Sequence, residues 1–194
     1  NIEVDLNFMY RIPLLPTEYK DSILVAGRQV KNLQLLDIHE IAAGKLTALL
    51  ERQTGRDFFD AKELFQYANI EIKKLRLAFV LYAAMCSKKD ILKLTLNDIS
   101  VDAADLKNKL IPVMNANFYE GFSSSEDWTE DLVNKVRDSF KSLLPFTEKE
   151  EAFVRSVTRG EGIKPELLIT DPNLAELIKK HPGLLWAAKS KIHS

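Results

Sequence analysis

Residues 37–65 constrain this chain more than any other stretch: two helix-length runs meet at a glycine, Gly55, with charged residues bunched on both sides of it. Asp37 fits an N-cap, because a short carboxylate there satisfies a free N–H of the first turn. Gly55 fits the position just past the end of the first helix. Asp57, with Asp60 three residues on, fits the cap and first turn of the second helix, a relative of the capping box. At 100° per residue, Leu35, Ile38, Ala42, Leu46 and Leu49 share one face of the first helix. Lys45 and Arg52 stand seven residues apart, two turns, and so stack in a stripe beside that face. Glu40, Thr47 and Glu51 project the other way. A cation stripe beside a buried face places positive charge where the helix meets another layer of the protein, and Arg56, Asp57 and Asp60 follow at the junction.

The run His39, Glu40, Ile41, Ala42, Ala43, Gly44, Lys45, Leu46, Ala48, Leu49, Arg52, Arg56, Asp57, Asp60 resembles the C-terminal motif block of the AbiEii/AbiGii-type toxin nucleotidyltransferases. These are polymerase-β-like enzymes, often the toxin half of bacterial toxin–antitoxin or phage-defence pairs. The resemblance rests on a Lys, an Arg seven later, and an Arg-Asp pair with a second Asp three residues on. A looser likeness runs through the remainder to His181, Pro182, Leu184 and Trp186.

Composition sets the outer bounds. The 194 residues suffice for one ordinary domain or two small ones, and 46% hydrophobic against 28% charged content describes a globular chain. A net charge of −1 makes no global electrostatic case for nucleic acid, so such a partner needs a local basic patch. The single cysteine, Cys86, lies in an apolar helical run and reads as a small core residue. It excludes an intrachain disulfide and fits a reducing compartment, so a cytoplasmic location is expected. No apolar run reaches about 18 residues, and no signal peptide is visible, so no membrane span is expected. The chain begins at Asn1, without Met, inside what reads as a strand, which suggests the C-terminal part of a longer protein.

Residues 2–10 alternate, with Ile2, Val4, Leu6, Phe8 and Tyr10 on one face, and read as a half-buried strand. Pro13 and Pro16 break it. Second and third strands are expected at 22–26 and 29–36, turning at Gly27 and Arg28. Helices are expected at 58–68, 72–86, 90–94, 102–115, 126–144, 147–159 and 171–180, with last turns from Pro182. Asp102 is read as a cap, Thr147 with Glu150 as a capping box, and Asp171 with Pro172 as cap and first helical residue. The fold class is α+β: the terminal strands of a nucleotidyltransferase-type mixed sheet, then a mostly helical C-terminal region. The expected division is 1–70, the C-terminal part of a nucleotidyltransferase-like domain, and 71–194, a helical domain.

The resemblance implies transfer of NMP from an NTP to an acceptor such as tRNA, with Mg²⁺ and a cognate antitoxin as partner. Nucleotidyl transfer needs carboxylates to hold divalent metal and cations to neutralise phosphate charge. Neither the Gly-Ser loop nor the paired-Asp strand of a polymerase-β-like site occurs in the chain. Asp5, mid-strand, is the candidate third carboxylate and metal ligand; as a plain residue it is a solvent-facing strand position. Lys45 fits a phosphate-contacting, catalytic cation. Arg52 fits either a phosphate contact or an internal ion pair with Asp57 or Asp60, and Arg56 is similar. Asp57 is the first choice for a further site carboxylate, with Asp60 in support; the plain alternative for both is helix capping. His39 lies off the stripe and reads as a surface residue. Lys73, Lys74 and Arg76, and Lys88 with Lys89, read as solvated helix ends or contacts to an RNA acceptor. Trp128 and Trp186 read as packing anchors, and His181 and His193 have no metal partners at ligand spacing. A reading from another class is a non-catalytic helical module on a nucleotidyltransferase remnant, binding a protein partner. A Gly-Ser and paired-Asp segment upstream in the reading frame separates the two.

Overall fold

The computed structural model describes residues 12–67, 69–86, 90–115 and 121–190. The strand expected at 2–10 lies outside them. The fold is α+β, with an antiparallel strand pair followed by helices. β1 (Glu18–Lys20) pairs with β2 (Leu33–Leu35) in the register Glu18↔Leu35, Tyr19↔Gln34, Lys20↔Leu33. The strand expected at 22–26 is corrected, because that apolar run carries only a single bridge, Val25↔Arg28, in a hairpin arm that turns on left-handed Ala26 and Gly27. Its side chains meet no opposing layer: Ile23 is 81% exposed. The strand expected at 29–36 shortens to β2 for the same reason.

The helices are α1 (Ile38–Arg52), α2 (Gly55–Tyr67), α3 (Ile72–Ala83), a single turn α4 (Ala103–Asp105), α5 (Ser125–Phe140), α6 (Glu148–Thr158), α7 (Pro172–Lys180) and α8 (Pro182–Ser190). Most of their starts follow the predicted caps. Asp37 accepts from His39 N, Thr147 and Glu150 form the reciprocal box, and Asp171 accepts from Asn173 N ahead of Pro172. The long helix expected at 102–115 is corrected. After α4 the chain widens over Leu106–Leu110 and tightens over Ile111–Val113, where Pro112 lacks the N–H that a continuing helix requires. Among the described residues no helix is long and apolar enough to cross a membrane.

α1 lies at the centre, packed on α3 along its length and against α2 at its end. That explains why one apolar stripe underestimates its burial. Ala42, Leu46 and Leu49 are buried as expected, but so are Leu50, outside the projected face, and Glu40 and Thr47, which were expected to point outward. Thr47 satisfies its hydroxyl on the helix itself, donating to Ala43 O at 2.9 Å. Leu35, projected onto this face, belongs to β2 and is exposed. At Gly44 the two helices pack tightly: a Cβ there would stand 3.3 Å from Tyr82 Cε1. Further out, Phe79 joins α3 to the rest of the core, its ring edge-on to Phe140 at 6.0 Å and stacked on Phe146 at 5.9 Å.

Three surface expectations are corrected here. His39 is buried: Nε2 accepts from Glu71 N at 2.8 Å, which puts the ring proton on Nδ1, 2.6 Å from Asp37 Oδ1. Arg76 is not a solvated helix end. Its guanidinium forms a two-pronged pair with Glu150 and also donates to the carbonyls of Ser142 and Pro145. Trp128 is buried as a packing anchor should be, but Trp186 is 51% exposed on α8. Lys88, Lys89 and His193 lie outside the described residues.

Candidate functional site

The α1–α2 junction departs from its expected form in a way that matters for the charges around it. Gly55 does not stop α1; it is the first residue of α2. The left-handed cap falls on Gln53, with φ 54° and ψ 39°. Gly55 is needed for space, since a Cβ there would come within 2.7 Å of Leu106 Cδ2. Its N–H donates to Asp105 Oδ2 at 2.7 Å, so the turn at 103–106 clamps the start of α2. Thr54, not Asp57, is the side chain at the mouth of the helix. Its hydroxyl donates to Asp57 Oδ2 at 2.7 Å, and Asp57 N points back to it at 3.4 Å.

With only two residues between α1 and α2, the helices fold back on one another and their charged positions converge. Lys45, Arg52, Arg56, Asp57 and Asp60 all line one open cleft of about 690 Å³. Leu36, Ile41 and Ala48 add apolar wall, and Gly44 and Tyr82 close it on the α3 side. Lys45 Nζ lies 2.5 Å from Asp60 Oδ2. Arg52 grips Asp57 with two nitrogens, Nη2 to Oδ1 at 2.5 Å and Nε to Oδ2 at 3.2 Å. The Asp57 side chain is 7% exposed, whereas that of Arg52 is 54% exposed. Arg56 is exposed and forms no ion pair among the described residues. The cleft thus presents three cations, two of them held by carboxylates from the facing helix. Glu40 lines the cleft too, so its carboxylates match its cations in number, and Arg56 is the cation left without an ion pair among the described residues.

The same carboxylates do not fit a divalent ion. Both oxygens of Asp57 are taken by Arg52 and Thr54, and Asp60 is tied to Lys45. Among the described residues no group of three or more His, Cys, Asp or Glu side chains converges. Asp5, the expected metal ligand, lies outside those residues.

Glu40 is the cleft residue that the sequence misplaced. Its Oε2 accepts from the backbone N–H groups of Leu14 and Leu15, each at 2.9 Å, and its Oε1 accepts from Tyr82 OH at 3.2 Å. Burial pushes the carboxyl above the usual range, against these hydrogen bonds, which pull it down. The signal was in the sequence. Pro13 and Pro16 keep residues 14 and 15 out of a regular ladder, so their N–H groups need another acceptor.

A family model described as the nucleotidyl transferase AbiEii toxin of type IV toxin–antitoxin systems matches residues 1–153, a span that contains every residue of this cleft. No curated protein and no solved structure matches the chain.

Proposed function

Since the chain belongs to the AbiEii nucleotidyltransferase toxin family of type IV toxin–antitoxin systems, we propose that the α1–α2 cleft holds the triphosphate of an NTP while its nucleotidyl group passes to an RNA acceptor such as tRNA. The observation that carries this reading is the convergence of Lys45, Arg52 and Arg56 on one cleft. In the transfer, an acceptor oxygen forms a bond to the α-phosphorus, the α–β phosphoanhydride bond breaks, and pyrophosphate leaves. Negative charge grows on the departing phosphates, and fixed cations beside them lower the barrier. Lys45 supplies a point charge, with Asp60 holding the ammonium toward the cleft. Arg52 offers phosphate the donors it does not spend on Asp57, and Asp57 is a positioning residue that fixes the guanidinium plane. Arg56 adds a cation at the outer lip. A divalent metal would be held by residues other than these carboxylates, with Asp5 the candidate, and would neutralise charge on the phosphates. In its host the protein acts as the toxin half of a pair with a cognate antitoxin.

The test is Lys45→Ala in the full-length protein. Both NTP-dependent labelling of RNA and growth arrest should be lost. Retention of both by the variant sinks the assignment of the site.

A further inference from the structure

A second cleft, of about 900 Å³, opens on the other side of the α2 start and shares Thr54, Arg56 and Asp60 with the first. Resting on the function proposed above, we propose that this second cleft binds unpaired nucleotides of the RNA acceptor, with Arg56 at the boundary between the two substrates.

Volume argues for two ligands. Small-molecule sites run from about 300 to 1,000 Å³, so each cleft alone is the size of one site. A single mononucleotide does not fill both. A transferase that joins two substrates needs two such spaces meeting at the reacting groups, and these two meet at Arg56 and Asp60.

The linings differ in the placing of charge: the first cleft carries Glu40, Lys45, Arg52, Arg56, Asp57 and Asp60 beside its apolar wall. The second has Phe59, Leu110, Val113 and Met114 as walls, with Arg56 and Lys109 as its cations. Apolar and aromatic surface flanked by cations is how proteins hold single-stranded nucleic acid: bases stack on the apolar wall and the backbone follows the positive charge. Asp105 pairs with Lys109 and Asp60 with Lys45, so the positive charge left over at this cleft among the described residues is that of Arg56. Val113 is 79% exposed, a large apolar side chain at the cleft edge that packing does not call for.

The experiment uses the full-length protein and two separate binding readouts. One is fluorescence anisotropy of a fluorescein-labelled RNA hairpin with an unpaired 3′ end, in the absence of NTP. The other is calorimetric titration with each of the four NTPs. Val113→Glu places a negative charge on the wall at a site exposed enough to leave folding intact, and Phe59→Leu removes the ring while keeping the wall apolar. Both should raise the Kd for RNA, Val113→Glu by about tenfold or more, with NTP binding unchanged. Lys45→Ala should do the reverse. If Val113→Glu weakens NTP binding instead, the cleft is a nucleobase pocket and the proposal falls. It falls equally if neither variant changes RNA binding, or if the wild-type protein does not bind the hairpin. Failure of the triphosphate assignment shows elsewhere, as unchanged NTP binding in Lys45→Ala.

Discussion

Arg52 and Asp57 clasp each other across the two-residue turn between α1 and α2, the guanidinium half in solvent and the carboxylate nearly out of it. The pair sets the angle at which two helices present their charges to one cleft. Removing the arginine strands a buried carboxylate whose remaining side-chain donor is the Thr54 hydroxyl.

Arg52→Ala should therefore lower stability by about 1–3 kcal/mol, read as a shift in the urea midpoint. Arg52→Lys should recover less than half of that, because an ammonium cannot make the two-pronged contact. Full recovery by lysine would show that charge alone matters at this turn.

Lys45 should behave in the opposite way. Its pair with Asp60 is partly exposed, so Lys45→Ala should change stability by no more than about 1 kcal/mol. RNA labelling should fall by roughly 10²–10³-fold, the usual loss on removing one group that stabilises developing charge. A large drop in melting temperature would mark Lys45 as structural.

Glu40 predicts a pH effect. Burial makes its folded-state carboxyl hold a proton more tightly than the unfolded chain does, so its contribution is most favourable below the ordinary carboxylate range. It is lost as pH rises through the folded value. Glu40→Gln keeps an oxygen for Leu14 and Leu15 and never ionises. Urea midpoints of variant and wild type, compared from pH 4 to 7, should diverge in the variant's favour as pH rises. A gap that does not move with pH would contradict this.

Arg76 and Glu150 predict the other limb. Burial raises the Glu150 carboxyl, but the bonds from Arg76 and Thr147 outweigh it and hold it below its ordinary value. That stability is present above the ordinary carboxylate range and is lost in acid. Arg76→Ala should cost about 2–4 kcal/mol at neutral pH, since it also strips donors from the Ser142 and Pro145 carbonyls. The difference from wild type should shrink as pH falls toward 3. A loss that stays constant would locate the effect in packing.

Cys86 should be a slow thiol. Burial, then the neighbouring Glu51 carboxylate, pushes it up to about 12, so little thiolate exists near neutrality. Reaction with a disulfide reagent at pH 8 should be far slower in the native protein than in urea. Equal rates would show the α3 end open to solvent.

The helices were legible because their caps are local chemistry. Asp37, Thr147 and Asp171 announce themselves by residue type and spacing, and the structure uses each as a cap. The grouping of Lys45, Arg52, Arg56, Asp57 and Asp60 was legible in part, since a short connection forces two helices to share a face. What stayed hidden depends on partners distant in sequence. Gly55 looked like a stop because a glycine near a helix end usually is one; its true constraint is Leu106, some fifty residues away. Glu40 looked solvated because one helix projected alone has only one inner face, and α1 has several. The Ile23, Leu24 and Val25 run looked like a strand because short apolar runs often are, yet it stands on an exposed arm.

That arm has an architectural consequence. It departs after Leu14 and Leu15, which Glu40 fastens to the first turn of α1, and it returns at Asp37, which caps the same turn. Both ends are thus anchored at one point, and among the described residues the stretch between them is largely exposed. Its tip near Ala26 and Gly27 is a place where the chain tolerates a nick, a graft or an inserted reporter, because the two fastenings, not the continuity of the loop, keep the cleft in register.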